Sequence, residues 1–398
     1  MEEYELFFEL IRVSIGTQDD LSRTPSAGEW DDLFAMARKQ SLVGICFAGV
    51  RRLKHQAPPK MLLLKWMGLA AKIQQRNEIV NRHCAEVQRR IEADGFRSYI
   101  MKGQSIGTLY GELSPLRQSG DIDVYLEGGL DRVLAYANTF GPTTKVNELE
   151  MHVDFFGAAS RRGQFNPEEY TEVEFHYRPF IMRNPFRNAR LQRFFQEQSE
   201  ACFANKITLY ALATAATDEA APLTIATPTT QFNLVHSMVH IYHHLFTEGI
   251  GLRQLMDYYF ILLSVPSVDV GHRAIVHLSN EVDPVLSLPL SVISELGLNR
   301  FASALMWVLQ HVYGLDNARM PWTANQRDGE FLLNEIMLSG NFGNQDVRQK
   351  ALSKSKWHSF WIVNMKSLRL ARFDRWMWFW GPFWRLYHYC WRRSKGFE

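Results

Sequence analysis

Cysteine is scarce in this chain: four in 398 residues, Cys46, Cys84, Cys202 and Cys390, lying far apart with no metal-type spacing. That excludes a disulfide framework and a zinc knuckle, and it fits thiols kept reduced in a cytoplasmic protein. Uncharged runs of about 18 residues are absent, so no transmembrane helix is expected. The opening MEEYELFFELI puts acids before its apolar stretch and has no basic n-region or cleavage site, so no secretory leader is expected either. Tandem repeats and low-complexity tracts are missing, which excludes a solenoid. What remains is ordinary globular composition, 46% hydrophobic and 22% charged, on a length suited to two or three domains with large cores.

The near-neutral net charge of +2 conceals an asymmetry: residues 350–398 carry +9 and seven of the eleven tryptophans, and the remainder carries −7. An acidic remainder argues against a long nucleic-acid groove. The basic aromatic tail suits a membrane-surface contact, stacking on nucleotides, or packing on the rest of the protein. Gly381-Pro382 is expected to break any helix there.

The chemistry concentrates in FRSYIMKGQSIGTLYGELSPLRQSGDIDVYL, Phe96 to Leu126. In a strand, positions i and i+2 share a face, so Asp121 and Asp123 project side by side. Two carboxylates so placed repel unless a cation or proton lies between them. A pair of Mg²⁺ ions about 3.5–4 Å apart is the usual resident in enzymes that displace at phosphorus. Upstream, Lys102-Gly103-Gln104-Ser105 turns a short apolar run into a helix, where backbone N–H groups and a lysine can meet phosphate. Arg117, in the loop entering the second run, is a candidate phosphate clamp. Further on, YTEVEFHYRP alternates, with Glu172, Glu174 and His176 on one face and Val173, Phe175 and Tyr177 on the other. His236, His240, His243 and His244 cluster on one side of a helix, followed by Gly249, Gly251 and Arg253, with Asp257 at i+4 as a ready ion-pair partner.

The KG turn, the tyrosine-ended helix, the arginine and G-D-I-D-V together resemble the nucleotidyltransferase superfamily. The likeness is greatest to its bacterial group of uncharacterised nucleotidyltransferases, and it extends over roughly residues 30 to 345. HSMVHIYHHLFTEGIGLRQLMDYYFIL, from His236 to Leu262, is similar to that family's second block. Gln104 stands where the superfamily pattern has Ser or Gly directly after the glycine, and Ser105 follows. The resemblance implies a third carboxylate from an E-x-H strand, Glu174 in preference to Glu172. It implies Asp121, Asp123 and Glu174 as ligands of two Mg²⁺ ions, and a nucleoside triphosphate held by Lys102, Gly103, Gln104, Ser105 and Arg117. It also implies an acceptor pocket near His176, His240, His244, Arg253 and Asp257.

The expected fold is α+β: a small mixed-sheet nucleotidyltransferase core flanked by helical segments. The expected divisions are residues 1–95, helical; 96–184, the α/β core; 185–345, helical; and 346–398, the basic Trp-rich tail. Within the core the pattern predicts strands Ser98 to Met101 and Ile122 to Leu126. It predicts helices Ser105 to Tyr110 and Asp131 to Phe140, and two further strands, around Val146 to Phe155 and Tyr170 to Tyr177. The expected activity is Mg²⁺-dependent transfer of a nucleoside monophosphate from a triphosphate to an acceptor, which can be a small molecule, a glycan precursor, a protein or RNA. The rivals are a catalytically silent scaffold that binds a partner protein, and a toxin-like transferase acting on RNA.

Overall fold

A computed structural model of the chain describes residues 2–140, 145–147, 152–155, 171–210, 222–266, 284–340 and 368–394. Four helices come first, α1 (Glu5–Ile15), α2 (Ala27–Lys39), α3 (Val43–Arg52) and α4 (Lys60–Ala93). The start of α2 is set locally: Ser26 accepts the Glu29 N–H and the Glu29 carboxylate accepts the Ser26 N–H, a reciprocal cap. The central section holds β1 (Ser98–Met101), α5 (Gly103–Gly107), a 3-10 stretch Thr108–Leu116, β2 (Ile122–Leu126), α6 (Gly129–Phe140), β3 (Lys145–Asn147), β4 (His152–Phe155) and β5 (Val173–His176). Then come α7 (Pro185–Ala204), β6 (Lys206–Thr208), β7 (Thr224–Ala226), α8 (Thr230–Phe246), α9 (Leu252–Ser264), α10 (Pro284–Glu295), α11 (Asn299–Tyr313), α12 (Gln326–Ser339) and α13 (Arg375–Ser394).

The architecture is α+β, with a mixed sheet of order β1-β2-β5-β4-β3 among the described residues. β1 runs antiparallel to β2, β2 parallel to β5, and β5, β4 and β3 antiparallel in turn. The register of the parallel pair sets Asp123 beside Glu174. Period-two alternation then sorts the side chains. Ile100, Ile122, Val124, Val173 and Phe175 pack with Val80, Cys84 and Ile91 of α4 and Val133 and Ala137 of α6 in one core. On the other face, Tyr99 and Met101 join the large core that spans the first and last helical segments. Those segments are also tied directly: Arg12 donates to the His311 carbonyl at 2.7 Å and Thr17 to that of Tyr313 at 2.9 Å.

Several sequence expectations shift. The run Val146 to Phe155 is two short antiparallel strands, β3 and β4, rather than one, and the segment GAASRRGQFNPEE lies outside the described residues. The helix after the lysine turn begins earlier, at Gly103, and passes into a 3-10 stretch kinked at Gly111, whose φ is +57°. Within the segment expected to be helical, β6 and β7 form an antiparallel pair. Gly381-Pro382 does not stop α13: Pro382 removes one intrahelical N–H, and the helix runs through it.

Buried polar residues on α4 fasten the loops that carry the site. Asn77 donates to the carbonyls of Pro115 and Arg117 at 2.7 and 2.8 Å. Asn81 donates to the Tyr210 carbonyl at 2.8 Å. Gln88 donates to the Ser98 carbonyl and accepts the Ala226 N–H. These amides share one helical stripe at spacings of four and seven, so one rigid helix holds the entry to β1, the loop before β2 and strand β7.

Candidate active site

Three adjacent strands end at one cavity of about 470 Å³, within the ~300–1,000 Å³ usual for small-ligand pockets. Lys102 follows β1, Asp121 precedes β2 and Asp123 lies in it, and Glu174 and His176 lie in β5. The Lys102 Nζ is 2.7 Å from Asp123 Oδ1. His176 Nε2 is 2.9 Å from the same oxygen and 3.4 Å from Glu174 Oε2. Ligand atoms of Asp123, Glu174 and His176 fall within 4.8 Å of one another, the only such trio among the described residues. β5 is interior to the sheet, and its polar face is covered by the cavity wall instead of open solvent.

The electrostatics separate the two aspartates. Despite its burial, Asp123 is held well below the usual carboxylate range by Lys102 and by its hydrogen bond from His176. Asp121, at the rim, is pushed up to about 7 by loss of hydration and by the neighbouring charges of Asp123 and Glu174. Against the effect of burial, the carboxylates raise the pKa of Lys102, and the hydrogen bonds to Asp123 and Glu174 raise that of His176. The site therefore gathers three carboxylates around fewer cations, on hard oxygen donors. That donor set suits Mg²⁺, and Asp121's reluctance to ionise is what a divalent cation would relieve.

The turn after β1 is strained at its lysine. Lys102 has φ +50° and ψ −138°, a conformation L residues rarely adopt, and it directs its ammonium across to β2. Gly103 follows with φ +23°. The next two side chains turn inward: Gln104 donates to Asn81 Oδ1, and the Ser105 and Thr227 hydroxyls bond each other. Both are buried, so Gln104 and Ser105 anchor the turn with their side chains, and backbone remains for any ligand contact.

Helices α8 and α9 make the opposite wall. Arg117 forms a two-pronged pair with Asp257, Nε to Oδ1 and Nη2 to Oδ2 at 2.7 Å each, and Tyr110 donates to Oδ1 at 2.6 Å. Asp257 therefore takes its partner from a segment far away in the chain, not from Arg253 one turn earlier. Arg253 instead donates to the Gln118 carbonyl at 2.7 Å. Its Nε and the Arg117 Nη1 are buried without a hydrogen-bond partner among the described residues, and both residues line the cavity. On α8, the His240 and His244 Nε2 atoms are 3.0 Å apart, and His236 Nε2 meets the Pro179 carbonyl at 3.2 Å. Burial pushes His236 down to about 3 and His240 and His243 well below their ordinary value, so these three imidazoles are neutral.

Sequence reasoning missed Tyr110 as an Asp257 partner, the Asn81 anchor of Gln104, and Arg183 and Trp384 in the cavity wall. Only the first had a usable signal, a tyrosine within the motif. No curated protein and no solved structure matches the chain. A family model described as "Uncharacterised nucleotidyltransferase" matches residues 26–281, ending short of the expected residue 345. With strands, turn and carboxylates arranged as above and most of its length matched, the chain belongs to the uncharacterised nucleotidyltransferase family.

Proposed function

We propose that the protein transfers a nucleoside monophosphate from a nucleoside triphosphate to a hydroxyl or phosphate acceptor, with release of pyrophosphate. The observation that carries this reading is the parallel register that sets Glu174 beside Asp123, with the Lys102 ammonium in contact with Asp123. Asp121, Asp123 and Glu174 would hold Mg²⁺, with His176 orienting the Asp123 and Glu174 carboxylates. When bound, the metal lowers the pKa of the acceptor oxygen and neutralises the triphosphate. The acceptor oxygen forms a bond to the α-phosphorus, the α–β bridging bond breaks, and pyrophosphate leaves with the electron pair.

The residues of the chain bind and position. Lys102 supplies a charge to the terminal phosphates, beside the Gly103 to Ser105 backbone. Arg117 Nη1 and Arg253 Nε supply buried donors to the same anion. His240 and His244, with their Nε2 atoms 3.0 Å apart, line the acceptor side and can take its proton. Catalysis by this route rests on positioning and charge stabilisation, so no activated serine or cysteine is needed.

The test is a screen of the four nucleoside triphosphates for Mg²⁺-dependent thermal stabilisation, followed by pyrophosphate release with the best of them. The silent-scaffold reading has one observation in its favour: Asp123 is already neutralised within the protein by Lys102 and His176. A scaffold shows no nucleotide shift that depends on Mg²⁺ and on the carboxylates.

A further inference from the structure

Among the described residues, helix α13 is docked by its first turn and exposed along one side. Asp374 accepts the N–H groups of Trp376 and Met377 at 2.8 and 3.2 Å. The same carboxylate accepts the Tyr242 hydroxyl of α8 at 2.7 Å and pairs with Arg187 of α7. Met377 is buried, and Trp384, two turns on, lines the catalytic cavity. The helix is therefore fixed in rotation with its inner face on the site. Its outer face carries Phe379, Phe383 and Leu386 at spacings of four and three, with Tyr387 alongside; Trp376 and Trp380, at the margin of this face, also line a crevice with Arg187, Tyr242 and His243. That spacing makes one continuous stripe. All six are exposed, Trp376 at 57%, Phe383 at 55% and Leu386 at 61%. A contiguous apolar face of this kind on a folded protein marks an interaction site.

The charge on the helix says which kind. Its sequence, RWMWFWGPFWRLYHYCWRRS, contains four arginines and no carboxylate, and the exposed Arg375 and Arg393 stand beside the stripe near its two ends. Trp and Tyr beside Arg is the composition that settles at headgroup depth, with rings at the acyl boundary and guanidinium groups on phosphates. Pairing with a second copy through this face would set like charges together in either orientation: Arg375 against Arg393 when antiparallel, and Arg375 against Arg375 when parallel. No described helix is long and apolar enough to cross a membrane, so the helix would lie along the surface. We propose that the outer face of α13 is an interfacial helix that seats the catalytic cavity on an anionic phospholipid bilayer.

The test is flotation of the full chain with vesicles of phosphatidylcholine, with and without phosphatidylglycerol, at low and high salt. Tryptophan emission is read in parallel. The expected result is binding to the anionic vesicles alone, weakened by salt, with a blue-shifted emission. A variant carrying Phe379→Ser, Phe383→Ser and Leu386→Ser changes only exposed side chains, so its melting temperature stays at the wild-type value and its vesicle partition falls more than about tenfold. A second variant, Arg375→Gln with Arg393→Gln, keeps the stripe and loses the salt dependence. Absence of wild-type binding to either vesicle overturns the proposal. So does a wild-type dimer in light scattering that the serine variant converts to monomer without any vesicle dependence. Lipid binding is read without turnover, so the outcome stands apart from the nucleotidyltransferase reading.

Discussion

Asp121→Asn isolates the electrostatic strain of the site. A carboxyl whose pKa is raised on folding favours the fold while protonated, and that contribution is lost as pH climbs from its ordinary value through the raised one. For Asp121 the window runs from 3.8 to about 7. At ~1.4 kcal/mol per pH unit the penalty is bounded near ~4 kcal/mol. Asp121 keeps an exposed surface, and screening by solvent reduces the figure to on the order of 1 kcal/mol. Asparagine carries no charge to repel, so the metal-free variant should match wild type near pH 4. It should melt higher above pH 7, by roughly 1–2 °C in a chain of this length. With Mg²⁺ and nucleotide the order should reverse, because wild type gains a ligand-linked stabilisation that the variant lacks. Asp123→Asn serves as the contrast. It strips Lys102 and His176 of their shared partner and should destabilise the metal-free protein by about 3–5 kcal/mol. Differential scanning fluorimetry across pH checks all of this. A lower melting temperature for Asp121→Asn at pH 8, or one with wild-type pH dependence, would refute the crowding argument.

Glu174→Gln should slow pyrophosphate release on the order of a thousandfold, and Glu172→Gln much less, because Glu172 lies outside the trio; equal losses would remove Glu174 from the metal site. Arg253→Gln should weaken nucleotide binding by about 10–100-fold, the loss of one charge-assisted hydrogen bond; an unchanged affinity by calorimetry would show that the arginine faces something other than the phosphates. Asp257→Asn leaves the buried Arg117 without its carboxylate and should cost about 3–5 kcal/mol in urea unfolding; a loss below about 1 kcal/mol would mean that Tyr110 and water compensate.

The local patterns of this chain were legible because backbone geometry enforces them. Ser98–Met101 and Ile122–Leu126 are strands over the residues expected, and Glu174 and His176 share a face because alternation in a strand leaves no choice. The α+β class followed from a short stretch of period two between long stretches of period 3.6. Partnerships across the chain were not legible. Asp257 had Arg253 one turn away, the spacing that favours a pair on an exposed helix, yet the fold presents Arg117 from the loop before β2 and both carboxylate oxygens close on it. Gln104 and Ser105 sit where a phosphate cradle is expected, and the packing of α4 and the strand β7 region draws their side chains inward to Asn81 and Thr227. In the interior each buried polar group must find a partner, and which one lies within reach depends on how distant segments stack. The sequence by itself determined the local strand and helix patterns and which side chains share a face; tertiary structure alone decided that β5 lies parallel to β2, so that Asp123, Glu174 and Lys102 share one cavity.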